Sequence, residues 1–153
     1  MIASPDVKEE LTLSIALENH VRAPLETTFE ALLEQVGPGF ETLDGQSLSL
    51  KLEPFPGGRW YRDLGGDNGH LWGHVQAIKR PTLLEITGPL FMSFPVVSNV
   101  QYRLAAAEGG TLISFRHTAL GFIPADMRQD MTRGWTEILG GVIRRAEGRH
   151  APA

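Results

Sequence analysis

The stretch that decides the fold is residues 127–146, MRQDMTRGWTEILGGVIRRA. Its apolar residues Met127, Met131, Trp135, Ile138, Leu139, Val142 and Ala146 recur at steps of four, four, three, one, three and four. That spacing lays them along one stripe of an α-helix. Asp126 and Asp130 near its start, with Arg144, Arg145 and Arg149 near its end, complement the helix dipole. Gly134, Gly140 and Gly141 run against this, each costing about 1 kcal/mol of helix propensity relative to Ala. Their use is then close approach of backbone to a sheet, or room for a bound molecule. A helix with one long apolar stripe needs an apolar surface to cover.

The chain upstream supplies that surface. Leu11, Leu13, Ile15 and Leu17 alternate with Thr12, Ser14 and Ala16, the period of a strand with one buried face. Pro24 then sits where a first helical residue is favoured, and Leu25, Phe29, Leu32, Leu33 and Val36 follow at helical spacing. Gly37-Pro38-Gly39 ends that helix. Strands are predicted around Leu48–Leu52, Arg59–Leu64, His70–Lys79, Thr82–Thr87, Val96–Ala105 and Thr111–Thr118. Gly65-Gly66-Asp67-Asn68-Gly69 and Ala107-Glu108-Gly109-Gly110 punctuate two hairpins, since positive φ is cheap at Gly and Asn. Linkers this short require antiparallel pairing, because a parallel crossover needs a dozen or more residues. The order predicts an α+β arrangement, a curved antiparallel sheet of about six to seven strands gripping the C-terminal helix. A flat two-layer sandwich is the competing arrangement.

Composition bounds the function. The 153 residues suit one domain, 1–153 with its core about 11–146, and 42% hydrophobic with 21% charged is globular usage. The formal net charge is -4 with no basic stripe, which argues against nucleic acid and against an anionic membrane surface. No stretch approaches the roughly 20 apolar residues of a membrane span. Met1–Glu10 carries Asp6, Glu9 and Glu10 and reads as no leader, so the expectation is a cytoplasmic protein. With no cysteine, thiolate chemistry and sulfur-based metal sites are excluded.

Several strings, taken in order, resemble a known family. They are Ala23-Pro24 with Phe29-Glu30-Ala31-Leu32, then Pro56-Gly57-Gly58-Arg59-Trp60, then Gly73-His74-Val75 with Pro81-Thr82-Leu83-Leu84. Gly109-Gly110-Thr111-Leu112-Ile113-Ser114-Phe115-Arg116-His117 and Gly134-Trp135-Thr136-Glu137-Ile138-Leu139 complete the set. Together, over roughly Leu11 to Ala146, they resemble the SRPBCC superfamily, also called START-like or Bet-v-like. Within it they are most similar to bacterial relatives of the activator of the heat-shock-protein-ninety ATPase. The resemblance implies a helix-grip fold with a cavity between sheet and C-terminal helix. It also implies binding of a lipid, hormone, sterol or polyketide, with a minority of members acting as cyclases or hydrolases. One departure is local: where many relatives carry tandem tryptophans after the first helix, this chain has Gly37-Pro38-Gly39-Phe40-Glu41.

The leading expectation is a binding domain for a small, mostly apolar molecule, without cofactor or metal. The alternatives are a protein-interaction module related to chaperone activators, and a cyclase or hydrolase acting on a hydrophobic substrate. His117 shares strand parity with Ile113 and Phe115, so it points inward and needs a partner, from the backbone or from a guest. Tyr102 lies in register with Val100 and Leu104 and points the same way. Trp60, Arg62, Tyr102, Phe115, His117, Met127, Met131 and Trp135 are the predicted ligand-contacting set. For Trp60 and Arg62 the opposite face, Tyr61 and Asp63, is equally open, and plain core packing is the competing use of Met127, Met131 and Trp135.

Phe91, Met92 and Phe94, in an apolar connection, either close the pocket mouth or bury in a homodimer. His70 and His74 do not read as a metal pair, since four strand residues separate them by roughly 13 Å. Alternation places His70, Trp72, His74 and Gln76 outside, and Leu71, Gly73, Val75 and Ala77 inside. The outer row is a partner surface or simply exposed. No Ser-His-Asp order, phosphate loop or dinucleotide fingerprint is present.

Overall fold

The computed structural model describes residues 11–41 and 45–150, so the reading of Met1–Glu10 lies outside the described residues. The elements run β1 (Thr12–Val21), α1 (Leu25–Val36), β2 (Leu50–Leu52), β3 (Arg59–Gly65), β4 (Asn68–Lys79), β5 (Leu83–Gly88), β6 (Val96–Ala107), β7 (Gly110–Gly121) and α2 (Ala125–His150). All seven strands form one antiparallel sheet in the order β1-β7-β6-β5-β4-β3-β2. The predicted helix-grip α+β architecture is the one observed. β2 is shorter than its alternation suggests, since Ser49 takes a φ of 52° and breaks the strand before Leu50.

β1 closes the sheet by pairing along its whole length with β7, from Thr12 opposite Leu120 to Val21 opposite Thr111. The turn into α1 is then fixed from β7. The buried Thr111 hydroxyl donates to the Ala23 carbonyl at 2.8 Å, and the Thr28 hydroxyl to Pro24 at 2.9 Å. α1 stops at Gly37, and the Gly37 and Gly39 amides both return to the Glu34 carbonyl.

The inner face of the central strands carries Leu84, Ile86, Val100, Tyr102, Leu104, Ile113 and Phe115, all buried. Phe29 and Leu32 of α1 and Leu139 and Val142 of α2 belong to the same core. α2 makes its close backbone approaches to α1 and β1 rather than to the β2–β4 side of the sheet. Space is left on that side.

Two bulges in β4 overturn part of the predicted facing of that strand. Trp60 pairs with Gly73 and Tyr61 with Leu71, so Trp72 is an extra residue; Gln76 is a second, between the Val75 and Ala77 pairings. An extra residue inverts the alternation beyond it. Trp72, expected outside, is buried, and Leu71, expected inside, is 45% exposed. His74 and Gln76 face solvent and Gly73 and Val75 are buried, as predicted. There is therefore no outward His-Trp-His row.

Candidate functional site

A cavity of about 910 Å³ occupies the space under α2. One wall is helical: Met127, Met131, Gly134, Trp135, Ile138 and Gly141. Facing it are Leu48 and Leu50, then Trp60 of β3 and Trp72 of β4, with Val36 and Phe40 at the α1 end and Phe91 at the mouth. The sheet wall is aromatic. Trp60 and Trp72 meet edge to face at 5.0 Å, and Trp72 meets Phe91 at 6.0 Å.

All three tryptophans line this space, and each has already committed its N–H. Trp60 donates to the Val36 carbonyl at 2.7 Å, Trp72 to His70 Nδ1 at 3.1 Å, and Trp135 to His117 Nδ1 at 3.0 Å. An indole N–H is that ring's only donor. The rings thus offer the cavity apolar surface and no free hydrogen bond.

Two glycines of α2 divide the roles proposed for them. A Cβ at Gly141 would stand 2.3 Å from Gln35 Nε2, so this glycine permits close packing on α1. A Cβ at Gly134 would meet nothing within 4 Å, so this one leaves space. Polar residues also line the cavity: Gln35, Glu41, Asp130, Thr136, Glu137, Arg144 and Arg145. Arg145 is bound to α1 through Nε to Gln35 Oε1 at 2.7 Å, Nη1 to Glu34 Oε1 at 3.1 Å, and Nη2 to the Gly39 carbonyl. Glu34 also pairs with Arg149.

Of the predicted contact residues, Trp60, Met127, Met131 and Trp135 line the cavity, and Phe91 lines it at the mouth. Tyr102, Phe115 and His117 point inward, but into a solid aromatic array behind it. Phe115 lies 5.0 Å from Tyr102 and 4.8 Å from Trp135, ring to ring. His117 is fully buried and engaged at both nitrogens. Because Trp135 can only donate, Nδ1 accepts, and Nε2 carries the proton toward Ser98 Oγ at 3.0 Å. Burial lowers its pKa to about 4. The Tyr102 hydroxyl is buried without a partner among the described residues, and burial pushes its pKa up.

Arg62 faces inward beside the cavity without lining it, opposite Leu50 on one side and His70 on the other. Met92 is in the core, and Phe94 is half-buried against it. Leu48, Leu50 and Trp72 were not predicted as lining residues. Leu48 and Leu50 carried a visible strand signal, but Trp72 reaches the cavity only through its bulge.

Residues 22–145 match the family model of the activator of Hsp90 ATPase homolog 1-like protein. The chain belongs to this family. No curated protein sequence matches it. Among solved structures it is similar to CalU16 from Micromonospora echinospora, with 22% identity and a TM-score of 0.62, covering 91% of this chain and 77% of that one. A protein from Rhizobium leguminosarum gives 20% identity and a TM-score of 0.67 over 89% and 95% of the two chains. Ara h 8.0201 gives 17% and 0.63 over 90% and 99%. At these identities the likeness is one of fold, and the fold is that of the SRPBCC superfamily, as the motifs implied. Within this activator-like family member, no helix among the described residues is long and apolar enough to cross a membrane.

Proposed function

We propose that the chain binds a small, largely apolar molecule in the cavity beneath α2. The observation that carries this reading is the match between shape and chemistry. A space of about 910 Å³ is walled by Leu48, Leu50, Met127, Met131 and Ile138 and by three indoles whose donors are all spent. This part of the wall rewards apolar area, and its indoles give a polar guest no hydrogen bond to replace its water. Adaptable methionines beside aromatic rings suit guests of varied outline.

The test uses N-phenyl-1-naphthylamine, a neutral apolar fluorophore. Wild-type protein should enhance its emission. Gly134→Leu, which places a side chain in the open space beside Trp135, should abolish the enhancement while leaving the thermal midpoint unchanged or raised. Undiminished probe binding by a folded Gly134→Leu protein would remove this cavity as the site.

A second reading, an interaction module, draws on the outer sheet face. Val97 and Leu120 lie opposite one another there and are 67% and 63% exposed, with Phe122 beside them at 66%. Recovery of a chaperone by the wild type but not by Leu120→Lys would favour it; a homodimer would cover the same patch. Catalysis would need an acid–base pair facing the guest. His117 does not supply one, being engaged at both nitrogens outside the lining.

A further inference from the structure

At the sheet-edge end of the cavity a cation is unmatched among the described residues. Arg62 stands on the same face of β3 as Trp60, two residues on, and directly opposite Leu50 of β2; both neighbours line the cavity. Its Nε is buried and has no hydrogen-bond partner among the described residues. None of the ion pairs among those residues involves it, whereas Arg59, Arg133, Arg145 and Arg149 each hold a carboxylate. A buried N–H of a charged group left unsatisfied is costly, so this side chain gains by turning toward an acceptor in the cavity it borders.

Beside Arg62 on β4 is its cross-strand partner His70. The Trp72 indole donates to His70 Nδ1, so a neutral ring carries its proton on Nε2 and presents a second donor. Trp72 thereby links the apolar wall to the polar end.

We propose that Arg62, with His70 beside it, receives the carboxylate of an amphiphilic guest whose apolar body lies against Trp60, Trp72 and Met131. This rests on the cavity reading above and narrows it to a class, monocarboxylic acids with a hydrocarbon or aromatic body. A guanidinium fork matches a carboxylate in geometry and charge. A phosphate dianion would need further cations beside Arg62, where its cross-strand partners are Leu50 and His70.

Decanoate and decan-1-ol, which share a chain and differ in the head group, make the test, with calorimetric titration of wild type, Arg62→Met and Arg62→Lys. The wild type should prefer the acid by about tenfold, the worth of a charge-assisted hydrogen bond. Arg62→Met should lose that preference while binding decan-1-ol as the wild type does, which also shows that it is folded. Arg62→Lys should keep part of it. Equal binding of acid and alcohol by the wild type overturns the carboxylate site and leaves the cavity reading standing. An acid preference that survives Arg62→Met overturns it as well, placing the anion elsewhere. Binding of neither compound removes the cavity reading and this inference together.

Discussion

The indole N–H of Trp135 on α2 donates to Nδ1 of His117 on β7 at 3.0 Å, and His117 Nε2 meets Ser98 Oγ of β6 at the same distance. One neutral imidazole thus joins the C-terminal helix to two central strands. The contact fixes the height of Trp135 over the sheet, and with it the far wall of the cavity. It also makes His117 a structural residue, so that His117→Ala would orphan a buried indole N–H and the Ser98 hydroxyl at once.

This pairing sets a pH dependence. The folded-state pKa of His117, about 4, lies below the ordinary value of 6.5 because burial penalises the charged ring. Above pH 6.5 both folded and unfolded forms are neutral here and the group adds no slope. As pH falls from 6.5 to about 4 the unfolded chain takes up a proton that the native protein refuses, so stability drops, by about 3 kcal/mol in all. Urea denaturation across this range should show that loss in the wild type. His117→Gln should remove this component, and equal slopes in the two proteins would contradict the assignment.

Gly134→Ala and Gly141→Ala should move stability in opposite directions, although both gain about 1 kcal/mol of helix propensity. At Gly134 the new methyl enters open space, and the gain should appear in full. At Gly141 it would lie within 2.3 Å of Gln35 Nε2, and Gln35 is held by Arg145 at 2.7 Å. Overpacking there should leave a net loss of about 1–2 kcal/mol. Thermal melts of the two variants decide the matter.

Arg145→Met should loosen α1 from α2. It removes charge-assisted bonds to Gln35 and Glu34 and the bond to the Gly39 carbonyl, all partly buried. A loss of about 2 kcal/mol is expected after allowance for solvent screening. Hydrogen exchange should show the change first at residues 34–41. Unaltered protection there would mean that apolar packing alone holds the helices together.

Gly73→Ala should cost about 2–4 kcal/mol, a large effect for one methyl group. The Cβ would lie 2.6 Å from the Thr87 carbonyl oxygen of β5, at the end of the β4–β5 pairing and next to the Trp72 bulge. Because that bulge turns Trp72 inward, the variant should also change the quenching of tryptophan fluorescence by acrylamide. A fully native melt and unchanged quenching would show that the strand can accommodate a side chain at this position.

Much of the architecture was legible because it rests on local periodicity. The alternation through Val100, Tyr102 and Leu104, and through Ile113, Phe115 and His117, placed those side chains inward, and all are buried. Pro24 and Gly37 marked the ends of α1. In β4 the same rule failed, because a period of two presumes that each residue has one partner. Trp72 and Gln76 have none of their own in the pairing with β3 and β5 respectively. Nothing in the string HLWGHVQ announces those extra residues beyond the glycine itself.

The sequence by itself determined which residues are helix or strand, which face of most strands is apolar, and that one long helix must cover the sheet, since those properties follow from spacing along the chain. Only the tertiary structure decided which part of the inner face is filled and which is left open. Tyr102, Phe115 and His117 share an inward orientation with Trp60, yet they pack solidly while Trp60 borders a void. The difference comes from where α2 lands, against α1 and β1 and away from β2–β4. That position is set by contacts such as Gly141 on Gln35 and Trp135 on His117, between residues far apart in the chain.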